Sequence, residues 1–182
     1  MIYVFLADGF EEIEALATVD ILRRAELDVK TVGIGKKLIK GGHGIAVEAD
    51  IADSEAVSDG LEMIVLPGGM PGTINLEKSA IVSSFVSYAA AHNLWIGAIC
   101  AAPSVLGHLG LIDGKRVTCY PGFESELGQA VYTAAHVERD GKFITARGPG
   151  ASVEFSLELV RALCSDERAK LLGASMQCTD MI

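Results

Sequence analysis

Cys100 is the residue in this sequence best placed to do chemistry. It stands between the apolar run Trp95–Ile99 and Ala101-Ala102-Pro103, with small residues on both sides. A tight strand-to-helix turn lifts a nucleophile to the top of a sheet and needs small neighbours. A thiol at a helix N-terminus also has its thiolate stabilised by the helix dipole and free N–H groups. The alternative for Cys100 is the common fate of a free cysteine, a small buried hydrophobe. Pro67-Gly68-Gly69 follows the apolar run Met63–Leu66. Glycines there leave backbone N–H groups free to hold an oxyanion, although a plain tight turn uses the same pattern. Glu14 lies inside Ile13-Glu14-Ala15-Leu16-Ala17. Burial would favour its protonated form, which can donate a hydrogen bond or shuttle a proton. Glu11 and Glu12 read as exposed acids of a first helical turn. His43, His92, His108 and His136 show no metal-ligand spacing and read as structural or surface residues. Cys119, Cys164 and Cys178 read as structural, with Cys119-Tyr120-Pro121 in a loop after a strand.

The elements that would carry these groups alternate in type. Ile2–Leu6, Val29–Ile34, Met63–Leu66 and Trp95–Ile99 are short apolar runs that read as buried strands. Glu11–Ala25 reads as a helix, acidic at its start and basic at its end (Arg23, Arg24), as the helix dipole favours. Two short strands around Gly41-Gly42 make a hairpin with Ile45 and Val47 on one face. Leu76–His92 reads as one helix, and Ala102–Leu109 as a short one closed by Gly110. Val117–Ala146 holds short strands with a turn at Asp140-Gly141. Ser152 is the expected N-cap of a helix over Ser152–Leu163, and Ser165 that of a last short helix. Buried strands alternating with amphipathic helices predict an α/β fold, a mostly parallel sheet covered on both faces. The site is then expected outside the carboxyl ends of the strands, in the loops Ala7–Phe10, Pro67–Gly72 and Cys100–Pro103.

Composition narrows the partners. A chain of 182 residues with no linker, repeat or low-complexity stretch is expected to form a single domain over 1–182. Lys plus Arg number 15 against 24 Asp plus Glu, a net charge of −9, which argues against nucleic acid and anionic membranes. No apolar run approaches the ~20 residues of a membrane span. The N-terminus lacks a basic leader, and the four cysteines form no CxxC, so reduced thiols in the cytoplasm are expected.

Five segments together resemble the ThiJ/PfpI superfamily, most closely its Parkinson-disease protein deglycase (DJ-one) branch. They are Ala7-Asp8-Gly9-Phe10-Glu11-Glu12-Ile13-Glu14, Val19-Asp20-Ile21-Leu22-Arg23-Arg24-Ala25, Val65-Leu66-Pro67-Gly68-Gly69, Ala98-Ile99-Cys100-Ala101-Ala102-Pro103 and Arg147-Gly148-Pro149-Gly150-Ala151-Ser152. Their order and spacing match as well. The resemblance implies a flavodoxin-like three-layer sandwich like that of class I glutamine amidotransferases, usually as a homodimer. It implies that Cys100 is the oxidation-prone cysteine of the nucleophile elbow and that Glu14 hydrogen-bonds its thiol. Gly68, Gly69 and Ala101 map to the oxyanion side. Two departures bear on activity. Ala101 stands where the protease-like branches carry His, which weakens a peptidase or amidotransferase reading. Tyr120 stands where the deglycase branch often has His, so it is the possible third member, though a poor base near pH 7.

Two functions follow from different classes. The first is a metal-free, cofactor-independent glyoxalase or deglycase acting on small α-oxoaldehydes, methylglyoxal to lactate, or on glycated side chains. The second is a redox-sensing or chaperone-like protein whose Cys100 is oxidised to the sulfinic acid with little turnover. A role in thiamine biosynthesis finds no support, since no GxxxxGK[ST] phosphate loop is present.

Overall fold

The computed structural model describes residues 1–178. In chain order its main elements are β1 (Ile2–Leu6), α1 (Glu12–Arg24), β2 (Val29–Gly33), β3 (Leu38–Lys40), β4 (Ala46–Glu48), β5 (Ile51–Ala52), β6 (Met63–Leu66), α2 (Gly72–Lys78) and α3 (Ala80–Ala91). They continue with β7 (Trp95–Ile99), α4 (Pro103–His108), β8 (Arg116–Val117), β9 (Val131–Tyr132), β10 (Val137–Asp140), β11 (Phe143–Ala146), α5 (Ser152–Leu163) and α6 (Asp166–Ser175).

Seven strands form the central sheet in the order β10-β11-β7-β6-β1-β2-β5. All neighbours run parallel except β10, which folds back antiparallel on β11. Successive side chains of a strand point to opposite faces, and the sequence supplies apolar residues for both. Ile2, Val4 and Leu6 of β1 pack on one side with Ala15, Val19 and Leu22 of α1 and Phe155 and Leu159 of α5. Tyr3 and Phe5 face the other side, against Leu76 of α2, Val82 and Val86 of α3 and Val105 of α4. The result is the expected flavodoxin-like sandwich, helix layer on sheet on helix layer, with β3 and β4 as an antiparallel hairpin outside it. No described helix is long and apolar enough to cross a membrane.

Local sequence chemistry explains where the elements differ from expectation. The helix expected over Leu76–His92 is two, because Ser79 takes an extended conformation and its hydroxyl accepts the Val82 N–H, capping α3. Ser152 is not an N-cap. It is already helical, preceded by a 3-10 turn over Pro149–Ala151, and its hydroxyl donates to the Pro149 carbonyl. Ser165 does cap α6, accepting the Arg168 N–H at 3.1 Å.

Candidate active site

Four loops meet at the carboxyl ends of β1, β6, β7 and β11, and short backbone hydrogen bonds fix them to one another. The Glu11 N–H donates to the Gly68 carbonyl (2.9 Å) and the Gly72 N–H to the Gly9 carbonyl (3.1 Å), joining the loops after β1 and β6. The Cys100 N–H donates to the Ala146 carbonyl (2.9 Å), and the Cys100 carbonyl accepts the Tyr120 N–H (2.8 Å). The nucleophile turn is thus held from both sides.

Cys100 has φ +65°, a left-handed conformation that non-glycine residues seldom adopt. Such strain persists only where the surroundings impose it, and here the two backbone bonds do so. The conformation swings the side chain out of β7 toward α1, where it is 9% exposed. There it meets Glu14, which projects from the first turn of α1 and is fully buried. One carboxylate oxygen of Glu14 accepts the Gly68 N–H at 2.7 Å. Its other oxygen has no hydrogen-bond partner among the described residues. Gly68 has to be glycine, because a Cβ there would lie 2.6 Å from the Cys100 Cβ and 2.8 Å from the Glu14 Oε2. The base of α1 is fixed in turn. Thr18 donates to the Glu14 carbonyl (2.7 Å), and the Ser156 hydroxyl of α5 meets the Thr18 hydroxyl at 3.0 Å.

The electrostatics follow from burial. Loss of solvation pushes the Glu14 carboxyl up to about 7, against the opposing pull of the neighbouring Cys100 thiol and the Gly68 N–H. The same loss of solvation, reinforced by the Glu14 charge, raises the Cys100 thiol well above its ordinary value. The Gly69 and Ala101 N–H groups point at the sulfur and work in the other direction, as expected of the elbow, but they do not prevail. The expectation of a thiol activated by a helix N-terminus is therefore corrected. α4 begins three residues further on and is six residues long, and burial beside a carboxylate dominates.

The structure brings Cys100, Glu14, Gly68, Gly69 and Ala101 together. The Gly68 N–H is engaged by Glu14, which leaves those of Gly69 and Ala101 as the donors directed at the sulfur. Tyr120 adjoins the site through its backbone. The residue is 46% exposed, and its hydroxyl makes no hydrogen bond among the described residues. His108 points away from the thiol, bound to Glu77 and Glu126.

Two acids and a cysteine depart from expectation. Glu12 is not exposed but 5% accessible, because the β3–β4 hairpin folds over it and the His43 N–H and Ile45 N–H donate to its carboxylate (2.8 and 3.3 Å). Glu11 is likewise half-buried. Glu11, Glu12 and His43 thereby converge within 4.8 Å, a cluster that chain spacing did not announce. Cys164 is exposed at the end of α5 and has no structural role in the core. Sequence reasoning passed over a cavity of about 260 Å³ lined by Tyr120, Pro121, His136, Arg147 and the Gly148–Ala151 turn. The signal for it was Arg147, a lone cation directly before Gly-Pro-Gly at the end of a buried strand.

The model of the DJ-1/PfpI family matches residues 1–162. The chain is 36% identical to Protein DJ-1 homolog B of Arabidopsis thaliana over 167 residues, 90% of this chain and 38% of the plant protein. It thus spans about two-fifths of the length of that relative. Glutathione-independent glyoxalase DJR-1.2 of Caenorhabditis elegans is 31% identical over 164 residues, 89% of this chain and 87% of the worm protein. The structure of Toxoplasma gondii DJ-1, oxidized, superimposes with a TM-score of 0.93 at 31% identity, covering 97% of each chain.

Proposed function

This chain belongs to the DJ-1/PfpI family, and we propose that within it the chain is a cofactor-independent glyoxalase that adds water across small α-oxoaldehydes. The observation that carries this reading is a fully buried carboxyl set beside a strained, buried thiol, and burial pushes that carboxyl up to about 7. Catalytic proton carriers work best with a pKa close to the working pH. The similarity to a worm protein named a glutathione-independent glyoxalase supports the same reading.

In the proposed reaction the Cys100 thiol passes its proton to Glu14, and the sulfur bonds to the aldehyde carbon of methylglyoxal. The N–H groups of Gly69 and Ala101, which face the sulfur, stabilise the oxygen charge as the carbonyl π-bond breaks, and Glu14 returns the proton to that oxygen. Glu14 then takes the proton from the former aldehyde carbon and passes it to the ketone oxygen, which gives an enediol. The neighbouring carbon gains a proton as the hydroxyl on the sulfur-bearing carbon loses one to Glu14, which gives the thioester of the 2-hydroxy acid. Water cleaves the thioester, lactate leaves and the thiol is regained. No electron leaves the protein–substrate pair, so no redox cofactor is required. On a glycated side chain the sulfur would bond to the hemiaminal or hemithioacetal carbon as that carbon's bond to the amine or thiol breaks, with the proton held by Glu14 going to the leaving group.

A homodimer belongs to this reading. Ile13, next to Glu14, and Leu38 and Ile45 of the hairpin region are large apolar side chains more than half exposed. A monomer mass by light scattering would remove this part. A second reading, oxidation of Cys100 to the sulfinic acid, is favoured by the Glu14 oxygen that has no partner, since a protonated carboxyl there could donate to a sulfinate.

The test is lactate formation from methylglyoxal without glutathione, in amine-free buffer, for wild type, Cys100→Ser and Glu14→Gln. Turnover in the wild type that both variants lose supports the enzyme. A wild type without turnover removes it and shifts the weight to oxidation of Cys100.

A further inference from the structure

Outside the thiol–carboxyl pair, most charged groups in the described residues satisfy one another. Glu12 and His43 fasten the hairpin, and His108 joins Glu77 to Glu126 through ring nitrogens that face apart, so neither cluster encloses a ligand. The cavity flanked by the segments that hold the Cys100 backbone is different. Its walls continue from the two residues that hold the nucleophile's backbone: Tyr120, whose N–H meets the Cys100 carbonyl, and Arg147, which follows the Ala146 carbonyl that accepts the Cys100 N–H. The Tyr120 ring stands against Gly148, where a Cβ would approach it to 3.0 Å. The missing side chain lets the ring lie along one wall.

Arg147 stands apart from the other arginines. Arg23, Arg24, Arg116, Arg139, Arg161 and Arg168 each have a carboxylate within 4.0 Å, whereas Arg147 has none among the described residues. This holds in a chain of net charge −9, where carboxylates are abundant. His136 lines the same cavity, with its Nδ1 3.6 Å from Glu154 and its side chain largely exposed. An exposed arginine with no carboxylate partner in an acidic protein, in a concave site one residue from the strand end that anchors the nucleophile turn, is available to an anion from outside. Its planar fork suits a carboxylate.

We infer that this cavity is a subsite for the carboxylate tail of an acidic α-oxoaldehyde, with Arg147 as the residue that selects it and His136 as a second donor. The inference rests on the reading of Cys100 as a nucleophile toward aldehydes and names the substrate class for it. The reaction is unchanged. Sulfur bonds to the aldehyde carbon, a proton moves between adjacent carbons, water cleaves the thioester, and the tail carboxylate stays intact, so the product is a 2-hydroxy diacid. Methylglyoxal carries only a methyl group toward this cavity and leaves most of its 260 Å³ unused.

The test compares 4,5-dioxopentanoate with its methyl ester as substrates at pH 7, for wild type, Arg147→Ala and Arg147→Lys. The wild type should favour the acid in kcat/KM by about tenfold, the value of one charge-assisted contact at a partly exposed site. Arg147→Ala should abolish that preference, and Arg147→Lys should keep part of it. A second arm needs no turnover: saturation-transfer NMR of the unreactive 4-oxopentanoate with Cys100→Ser and with Cys100→Ser/Arg147→Ala. Transfer that the arginine substitution removes supports the subsite, even if no substrate is turned over and the glyoxalase reading falls. Equal turnover of acid and ester overturns the subsite and leaves the glyoxalase standing. So does 4-oxopentanoate that binds both proteins alike or neither.

Discussion

Replacing Glu14 with glutamine should make the protein more stable as it removes activity, and the gain should depend on pH in a calculable way. The Glu14 carboxyl is fully buried and has its pKa raised from 4.5 to about 7. A carboxyl raised in the folded state binds its proton more tightly there than in the unfolded chain. Its penalty is therefore absent below pH 4.5, where both states are protonated, and grows as pH rises through 7. At about 1.4 kcal/mol per pH decade, the full penalty is about 3 kcal/mol. By the same linkage it is about 1 kcal/mol at pH 5 and about 3 kcal/mol at pH 8. Glutamine keeps an oxygen for the Gly68 N–H and carries no charge. The stability of Glu14→Gln relative to wild type should thus rise by about 2 kcal/mol between pH 5 and pH 8. Urea unfolding of both proteins at the two pH values measures this double difference, in which the other titrating groups cancel. Methylglyoxal turnover of the variant should fall by about 10²-fold or more, the usual contribution of a positioned proton carrier. If the difference in stability is the same at both pH values, Glu14 does not titrate near neutrality and the proton-carrier argument collapses, whatever the activity does.

Gly68→Ala places a Cβ 2.6 Å from the Cys100 Cβ. We expect a loss of about 1–3 kcal/mol in urea unfolding, the usual result of overpacking, together with loss of turnover; a stable and active variant would show that the two side chains are not in contact. Ion pairs with Glu77 and Glu126 raise the pKa of His108. The stability this gives is full below pH 6.5 and is lost as pH rises through the folded-state value. His108→Gln should therefore lower stability at pH 6 by under about 1 kcal/mol, a figure limited by solvent screening, and have no effect at pH 9. A loss of the same size at both pH values would mean that packing, not charge, is what His108 supplies.

The parts of the site that were legible in the sequence are those whose cause is local. Cys100 could be found because an apolar strand ends on it and small residues follow. Glu14 could be found because an acid interrupts an apolar stretch in the first turn of the helix that follows β1. What escaped depends on distant chain. Glu12 looks like its neighbour Glu11, and only the arrival of His43 and Ile45, over thirty residues on, buries it. The direction of the Cys100 pKa escaped for the same reason. A helix N-terminus can be read from Ala101-Ala102-Pro103, whereas the desolvation and the Glu14 charge that outweigh it exist only once α1 lies across the elbow. The break at Ser79 escaped because the apolar pattern on both sides of it reads as one continuous helix.

The raised values of Glu14 and Cys100 describe a pair that holds one negative charge easily and two only with difficulty. Each charged form has its own donors: the Gly68 N–H for the carboxylate, and the Gly69 and Ala101 N–H groups for the thiolate. Moving the proton from sulfur to carboxylate therefore exchanges one solvated charge for another within a dry site, without water having to enter. A low thiol pKa is not needed for such a nucleophile. What it needs is a nearby acceptor whose affinity for the proton is close to neutral and whose position does not change. Burial meets the first requirement and Gly68 the second, because its N–H fixes the carboxylate, while its lack of a side chain lets the thiol and the acid approach each other. Gly68 and Glu14 therefore matter to the reactivity of Cys100 more than the short helix that follows it.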